Sequence, residues 1–126
     1  MSGIKEFVAW LYLVNATLLA THEIDSAFWH EWELFRLPGG IQLFLVLNLF
    51  MLFVVFFGFR RVVLWQRGAK AFSFLLAAAG VFAFSIHMIF IASGDPAFRL
   101  PLSVALLSGT LLVSIAQALL VARIRN

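Results

Sequence analysis

The chain contains no cysteine, few charges and only three prolines. Without cysteine there are no disulfides, no thiolate metal sites and no cysteine nucleophile. Lys, Arg, Asp and Glu together make up 12% of the residues, about half the ~25% usual in a soluble domain. No glycine-rich phosphate loop is present. Ser85, Ser103, Ser108 and Ser114 have no base assigned to them, so serine hydrolysis is not supported. No basic patch interleaved with stacking aromatics occurs, which argues against nucleic acid as a partner despite a formal charge of +3. Internal repeats and low-complexity tracts are also absent.

What the chain does have is hydrocarbon. It is 63% hydrophobic, with a mean hydropathy of +1.03. A 126-residue chain is one domain at most, and a core of that size could not hide so much apolar surface from water. The bilayer is the solvent that suits it. Four apolar runs, at about residues 4–21, 41–59, 71–92 and 102–121, each approach the ~20 residues that cross a bilayer as helix. Open strands in lipid would leave backbone groups unpaired, so helices are expected. The expected fold is therefore all-α: a four-transmembrane-helix bundle with an amphipathic, His/acid-rich extension after the first helix. The run from Phe7 to Ala20 shows no small-residue cleavage site after it and is read as a retained first span.

Breaks between the runs are well marked. Leu37-Pro-Gly-Gly40 and Ser93-Gly-Asp-Pro96, the latter followed by Pro101, stop helices and permit turns. Arg60, Arg61, Arg67 and Lys70 flank the middle connection with no acid among them, Lys5 lies near one terminus, and Arg123 and Arg125 lie near the other. With four spans all of these fall on one side, which the positive-inside rule makes cytoplasmic. Both termini are then cytoplasmic and the acidic segment faces outward, in an orientation that suits a bacterial inner membrane.

That acidic segment, Thr21-His-Glu-Ile-Asp-Ser-Ala-Phe-Trp-His-Glu-Trp-Glu-Leu-Phe35, gathers two of the three histidines and four of the six acidic residues. If it continues as helix, His22, Asp25, His30 and Glu33 share a face, with Glu23 and Glu31 lying round the helix from it. A histidine and a carboxylate at i and i+3 can bind one ion, or the acid can fix the imidazole tautomer. His22 and His30 would be about 12 Å apart on a straight helix, too far to share an ion. The missing donor is sought in His87, which the topology places in the outer half of the third span, about 9 Å below its end. An ionisable residue within a span is a functional candidate because hydrocarbon makes it costly. The candidate metal ligands are thus His22, Asp25, His30, Glu33 and His87, with Glu23, Glu31, Gln42, Asn15, Asn48 and Ser85 as a surrounding polar network. A site of nitrogen and oxygen donors without sulfur suits zinc, iron or copper.

A blander reading stands beside this one. Trp29, Trp32 and Phe28 could seat an interfacial helix in the headgroup layer with its acids in water, and a membrane histidine often serves as hydrogen-bonding glue between helices. Gly58, Gly80 and Gly109 allow close helix approach. The Phe-rich second span reads as a lipid-facing or helix-packing surface.

The same string, running on into Leu37-Pro-Gly-Gly-Ile-Gln42, resembles the signature of a family of small bacterial four-span membrane proteins of uncharacterised function. That resemblance covers about the first half of the chain and implies a fold without an activity. A second likeness is to four-helix membrane proteins of the sterol-isomerase and sigma-2-receptor type, which place a histidine and acids in a cavity to move a proton on a sterol. Here only His22, Asp25 and Glu33 could take such parts. Spans two to four contain no carboxylate and Asp95 lies in a loop, which weighs against proton-shuttle isomerisation. Three functions are consistent with the residues: a membrane protein holding a metal ion or small polar group at an outward site, an acid/base or metal-dependent enzyme acting on a lipophilic substrate, and an accessory subunit of a homo-oligomer or larger membrane complex.

Overall fold

A computed structural model describes residues 3–125 of the protein. Its elements are α1 (Gly3–Phe28), a one-turn α2 (Glu31–Leu34), α3 (Ile41–Val63), α4 (Ala69–Ala92) and α5 (Pro101–Arg123), and the described residues include no strand. The four long helices are each long and apolar enough to cross a membrane. This is the expected four-span, all-α, multi-pass architecture, with every long helix longer than its apolar run and the first most of all. The first helix runs past the apolar stretch and carries Thr21–Phe28 upright with it.

Helix packing follows from an inward stripe on each helix. On α1 the buried residues include Val8, Tyr12, Asn15, Leu19, His22 and Ser26, spaced at three and four as a single face requires. On α4 the stripe is Ala69, Ser73, Leu76, Ala77, Gly80, Ala83 and His87. Most of these residues are small, so backbones approach closely, as association in lipid demands. A Cβ at Gly80 would collide with the Oγ of Ser114 and come within 2.9 Å of Thr110 Cγ2. A Cβ at Gly58 would collide with the Tyr12 hydroxyl, which donates a 2.8 Å hydrogen bond to the Val55 carbonyl. Gly109 is different: only Leu18 lies near it, at ordinary contact distance.

The most extensive interfaces are α4–α5 and α1–α5, and α3 packs on α1 and α4. Midway along the bundle α1 and α5 are joined by a buried amide network. Asn15 Nδ2 donates to Ser114 Oγ and to Gln117 Oε1, both at 3.0 Å, and Gln117 Nε2 donates to the Ser73 carbonyl of α4 at 3.0 Å. Asn15 therefore ties helices together away from the acidic segment.

The basic ends meet at one end of the bundle. Lys5 lies over the Trp65 ring at 5.0 Å, and Lys70 donates to the Ile124 carbonyl at 2.8 Å. The N-terminal turn of α1, the α3–α4 connection and the C-terminal residues thus share a face of the molecule. At the opposite end, the α1–α3 and α4–α5 connections fold over the helix ends. Ala97, Phe98 and Leu107 form a small core there with Trp29, Leu34, Phe84 and Met88.

Candidate metal centre

The acidic segment does not continue as one helix. At His30 the backbone turns left-handed, with φ 53° and ψ 52°. Histidine is among the few non-glycine residues that populate this region with any frequency. The turn ends α1 and restarts the chain as α2, which stops in its turn at Arg36 with φ 52°. There Leu37 N–H bonds to the Trp32 carbonyl at 2.8 Å and Arg36 N–H to the Glu33 carbonyl at 3.1 Å, the paired closure of a Schellman motif. The same closure recurs at Trp65 and at Gly94.

This reversal changes which carboxylate faces inward. Glu31, read from the helical wheel as lying off the site, is turned into the bundle and is 8% exposed. His30 and Glu33 are turned out, forming a 3.6 Å pair with 58% and 70% of their side chains exposed. His22, on α1, and His87, on α4, do converge: both are at most 2% exposed, and their rings meet edge to face at 4.5 Å. One donor atom from each of His22, Glu31 and His87 lies within 4.8 Å of the others. A tetrahedral ion bound at ~2.0–2.1 Å has ligands about 3.3 Å apart, so closure on an ion needs side-chain shifts on the order of 1 Å.

The hydrogen bonds orient the donors. His87 Nδ1 lies 2.6 Å from the Ala83 carbonyl. A carbonyl only accepts, so Nδ1 carries the proton and Nε2 is the free donor position. His87 Nε2 stands 2.9 Å from Glu31 Oε1, but off the line of a proper hydrogen bond, and it has no other partner. In the neutral tautomer, a nitrogen lone pair then faces a carboxylate oxygen at contact distance, and only a proton or a cation between them relieves that. His22 Nε2 lies 3.4 Å from Ser26 Oγ, while its Nδ1 is buried without a partner. Both rings thus keep a nitrogen that no protein group satisfies, and buried polar atoms of this kind call for an explanation.

The remaining candidates lie elsewhere. Asp25 Oδ1 accepts from Trp29 Nε1 at 3.1 Å, which makes it a brace for the end of α1, outside the three-donor cluster. Gln42 is exposed. Ser85 is exposed and donates to the Val81 carbonyl of its own helix. Glu23 and Asn48 line the cavity beside the cluster. The wheel placed Glu31 and Glu33 wrongly because it assumed unbroken helix through His30.

Phe98 gave no signal in the sequence, yet it roofs the site. Its ring lies 4.4 Å from His87 and 5.7 Å from His22, and it is 1% exposed. The α4–α5 connection holds it in a left-handed conformation, φ 62°. Asp95 accepts from Ala97 N–H at 2.8 Å, and Arg99 donates to the Asp95 and Ile91 carbonyls, both at 2.6 Å. The arginine thereby satisfies a carbonyl at the C-terminal end of α4.

Below the roof a cavity of about 370 Å³ opens between α1, α3 and α4, and His22, Glu31 and His87 all line it. Its other walls are mostly apolar, among them Leu19, Phe44, Leu47, Met51 and Phe82. An ion held by these three groups would have fewer protein ligands than a structural site, which is closed by four.

No curated protein and no solved structure matches the chain. Over residues 8–124, a stretch that includes every helix but the start of α1 and all three clustered donors, it matches the family of unknown function DUF6713, and it belongs to that family.

Proposed function

We propose that this is a membrane metalloprotein that binds one divalent transition-metal ion through His22, Glu31 and His87, with an open coordination position facing the α1–α3–α4 cavity. The observation that carries this reading is the convergence of three buried donors from three separate helical elements, two of them with a nitrogen left unpartnered. Burying such groups without compensation is costly, and a bound cation compensates all three together. Two histidines and one carboxylate suit zinc or ferrous iron. When bound, the ion supplies Lewis-acid or redox chemistry at its free position. The residues contribute a fixed His87 tautomer, a negative charge at Glu31 and a roof at Phe98 that keeps water out. The positive-inside rule supports cytoplasmic termini, which puts the metal centre at the outer side. The resemblance of the Thr21–Gln42 string to small bacterial membrane proteins supports placement in a bacterial inner membrane.

The test is element analysis of protein purified without chelator, alongside His22→Ala and His87→Ala. Near-stoichiometric metal in the wild type, lost in both variants while the bundle stays folded, is the expected result. A folded wild type devoid of zinc, iron and copper removes the reading.

A second reading has one observation in its favour. The 2.9 Å approach of Glu31 to His87 needs only a turn of the ring into line to share a proton, which would make the pair a metal-free acid/base device on a lipophilic substrate. Full function in protein stripped of metal would favour it.

A further inference from the structure

Beyond the cavity that the donors line, a second one of about 240 Å³ lies further along the bundle, walled by Tyr12, Val54, Val55 and Phe72 and opening to the membrane beside Phe50 and Leu75, which are largely exposed. Leu19, Met51 and Ala79 line both. The two are therefore neighbouring chambers of one cleft between α1, α3 and α4. Along α4 the cleft extends from His87 to Phe72, about 22 Å at 1.5 Å per residue. That exceeds half of the ~30 Å hydrocarbon thickness, so it accommodates a long single chain lying parallel to the helices. Its volume falls in the few-hundred-Å³ range of small-ligand sites.

The chemistry changes from one end to the other. The second chamber is lined by side chains of Leu, Met, Val, Phe and Ala, with the Tyr12 hydroxyl already engaged at the Val55 carbonyl. The outer chamber holds Glu23, Asn48 and the three clustered donors. Asn48 is informative. Its Nδ2 donates to the Phe44 carbonyl at 3.0 Å, which fixes the amide orientation and leaves Oδ1 as a buried acceptor with no donor. The Glu23 carboxyl stands against the same amide, so a head group seated between them needs a donor for Asn48 Oδ1 and an oxygen that a carboxyl tolerates, and a hydroxyl offers both. A carboxylate head has no proton for Asn48 Oδ1.

We propose that the cleft binds a long-chain lipid alcohol, its hydroxyl among Asn48, Glu23 and the open metal position, and its tail in the second chamber. The head-group assignment rests in part on the metal centre proposed above, whereas the tail assignment rests on the two chambers alone.

The test uses the full-length protein in phosphatidylethanolamine/phosphatidylglycerol vesicles and a hexadecanol carrying a tail diazirine. Photolabelling sites are mapped by mass spectrometry and metal content is measured on the same samples. Labelling confined to Met51, Leu76 and Ala79, assigned to single residues by fragmentation and competed by hexadecanol better than by hexadecanoate or hexadecane, is the expected result. Leu75→Trp or Val54→Trp, which fill the second chamber and not the first, should cut labelling about tenfold with metal content unchanged. Asn48→Leu should abolish the preference for hexadecanol over hexadecane. Labelling spread over outward residues such as Leu49 and Phe53, or unaltered in both tryptophan variants, overturns the proposal. Metal present with diffuse labelling defeats the lipid proposal and leaves the metal centre standing. Metal absent with cleft-confined labelling defeats the metal centre and supports the tail assignment.

Discussion

Glu31 Oε1 and His87 Nε2 stand 2.9 Å apart, one from a single helical turn beyond the end of α1 and the other from the buried stripe of α4. The contact depends on the left-handed turn at His30, which directs Glu31 inward and Glu33 outward. The pairing joins the acidic segment to the membrane-spanning bundle.

Metal retention should depend on pH with a definite sign. Histidine ligands must be neutral and the carboxylate ionised to bind, so protons compete with the ion. Affinity therefore falls as the pH is lowered. Dialysis against metal buffers over a series of decreasing pH measures it. Occupancy that rises on acidification contradicts the ligand set.

Phe98 is expected to control access more than affinity. Phe98→Ala removes the ring that covers both histidines and should speed metal removal by a water-soluble chelator about tenfold, ~1.4 kcal/mol off the barrier. Stopped addition of chelator with timed element analysis reads the rate. An unchanged rate would show that water reaches the ion by another path.

Gly80→Ala tests the packing that holds α4 against α5. The added methyl meets Ser114 and Thr110, and overpacking of this kind costs about 1–3 kcal/mol. Thermal unfolding in detergent should show a lower Tm, while Gly109→Ala, whose Cβ would meet only the Leu18 side chain, should change little.

The amide network predicts a modest effect. Asn15→Leu loses the bonds to Ser114 and Gln117, and interhelical hydrogen bonds in membranes average about 0.6 kcal/mol. A small loss in Tm with full metal content is expected. Loss of metal would mean that the network supports the site.

How much of this the sequence disclosed differs from residue to residue. The spans were legible because hydrocarbon runs bounded by Pro, Gly and Arg have few alternative placements. The meeting of His22 and His87 was legible too, since topology alone sets their depths. The identity of the carboxylate was not. Left-handed turns are usually announced by glycine or asparagine, and here the turn residue is His30, so the wheel ran on past the break and put Glu33 where Glu31 belongs. Phe98 was invisible because a loop phenylalanine has no periodicity to read. The inward direction of His87 has a further sign in the residue pattern. On α4 the run Ser73, Ala77, Gly80, Ala83, His87 keeps a three-and-four spacing of small residues, and His87 continues that stripe. A side chain in line with small residues on a spanning helix faces the close helix contacts that those residues permit.

The most direct measurement compares metal loading of Glu31→Gln with that of Glu33→Gln, each titrated with zinc and with ferrous iron beside the wild type. The two glutamates are two positions apart, and only one of them lies in the cluster. The account predicts that Glu31→Gln loses more affinity than the ~10–100-fold that an outer-shell partner is worth, and that Glu33→Gln binds as the wild type does. Equal binding by all three, or loss confined to Glu33→Gln, would contradict it.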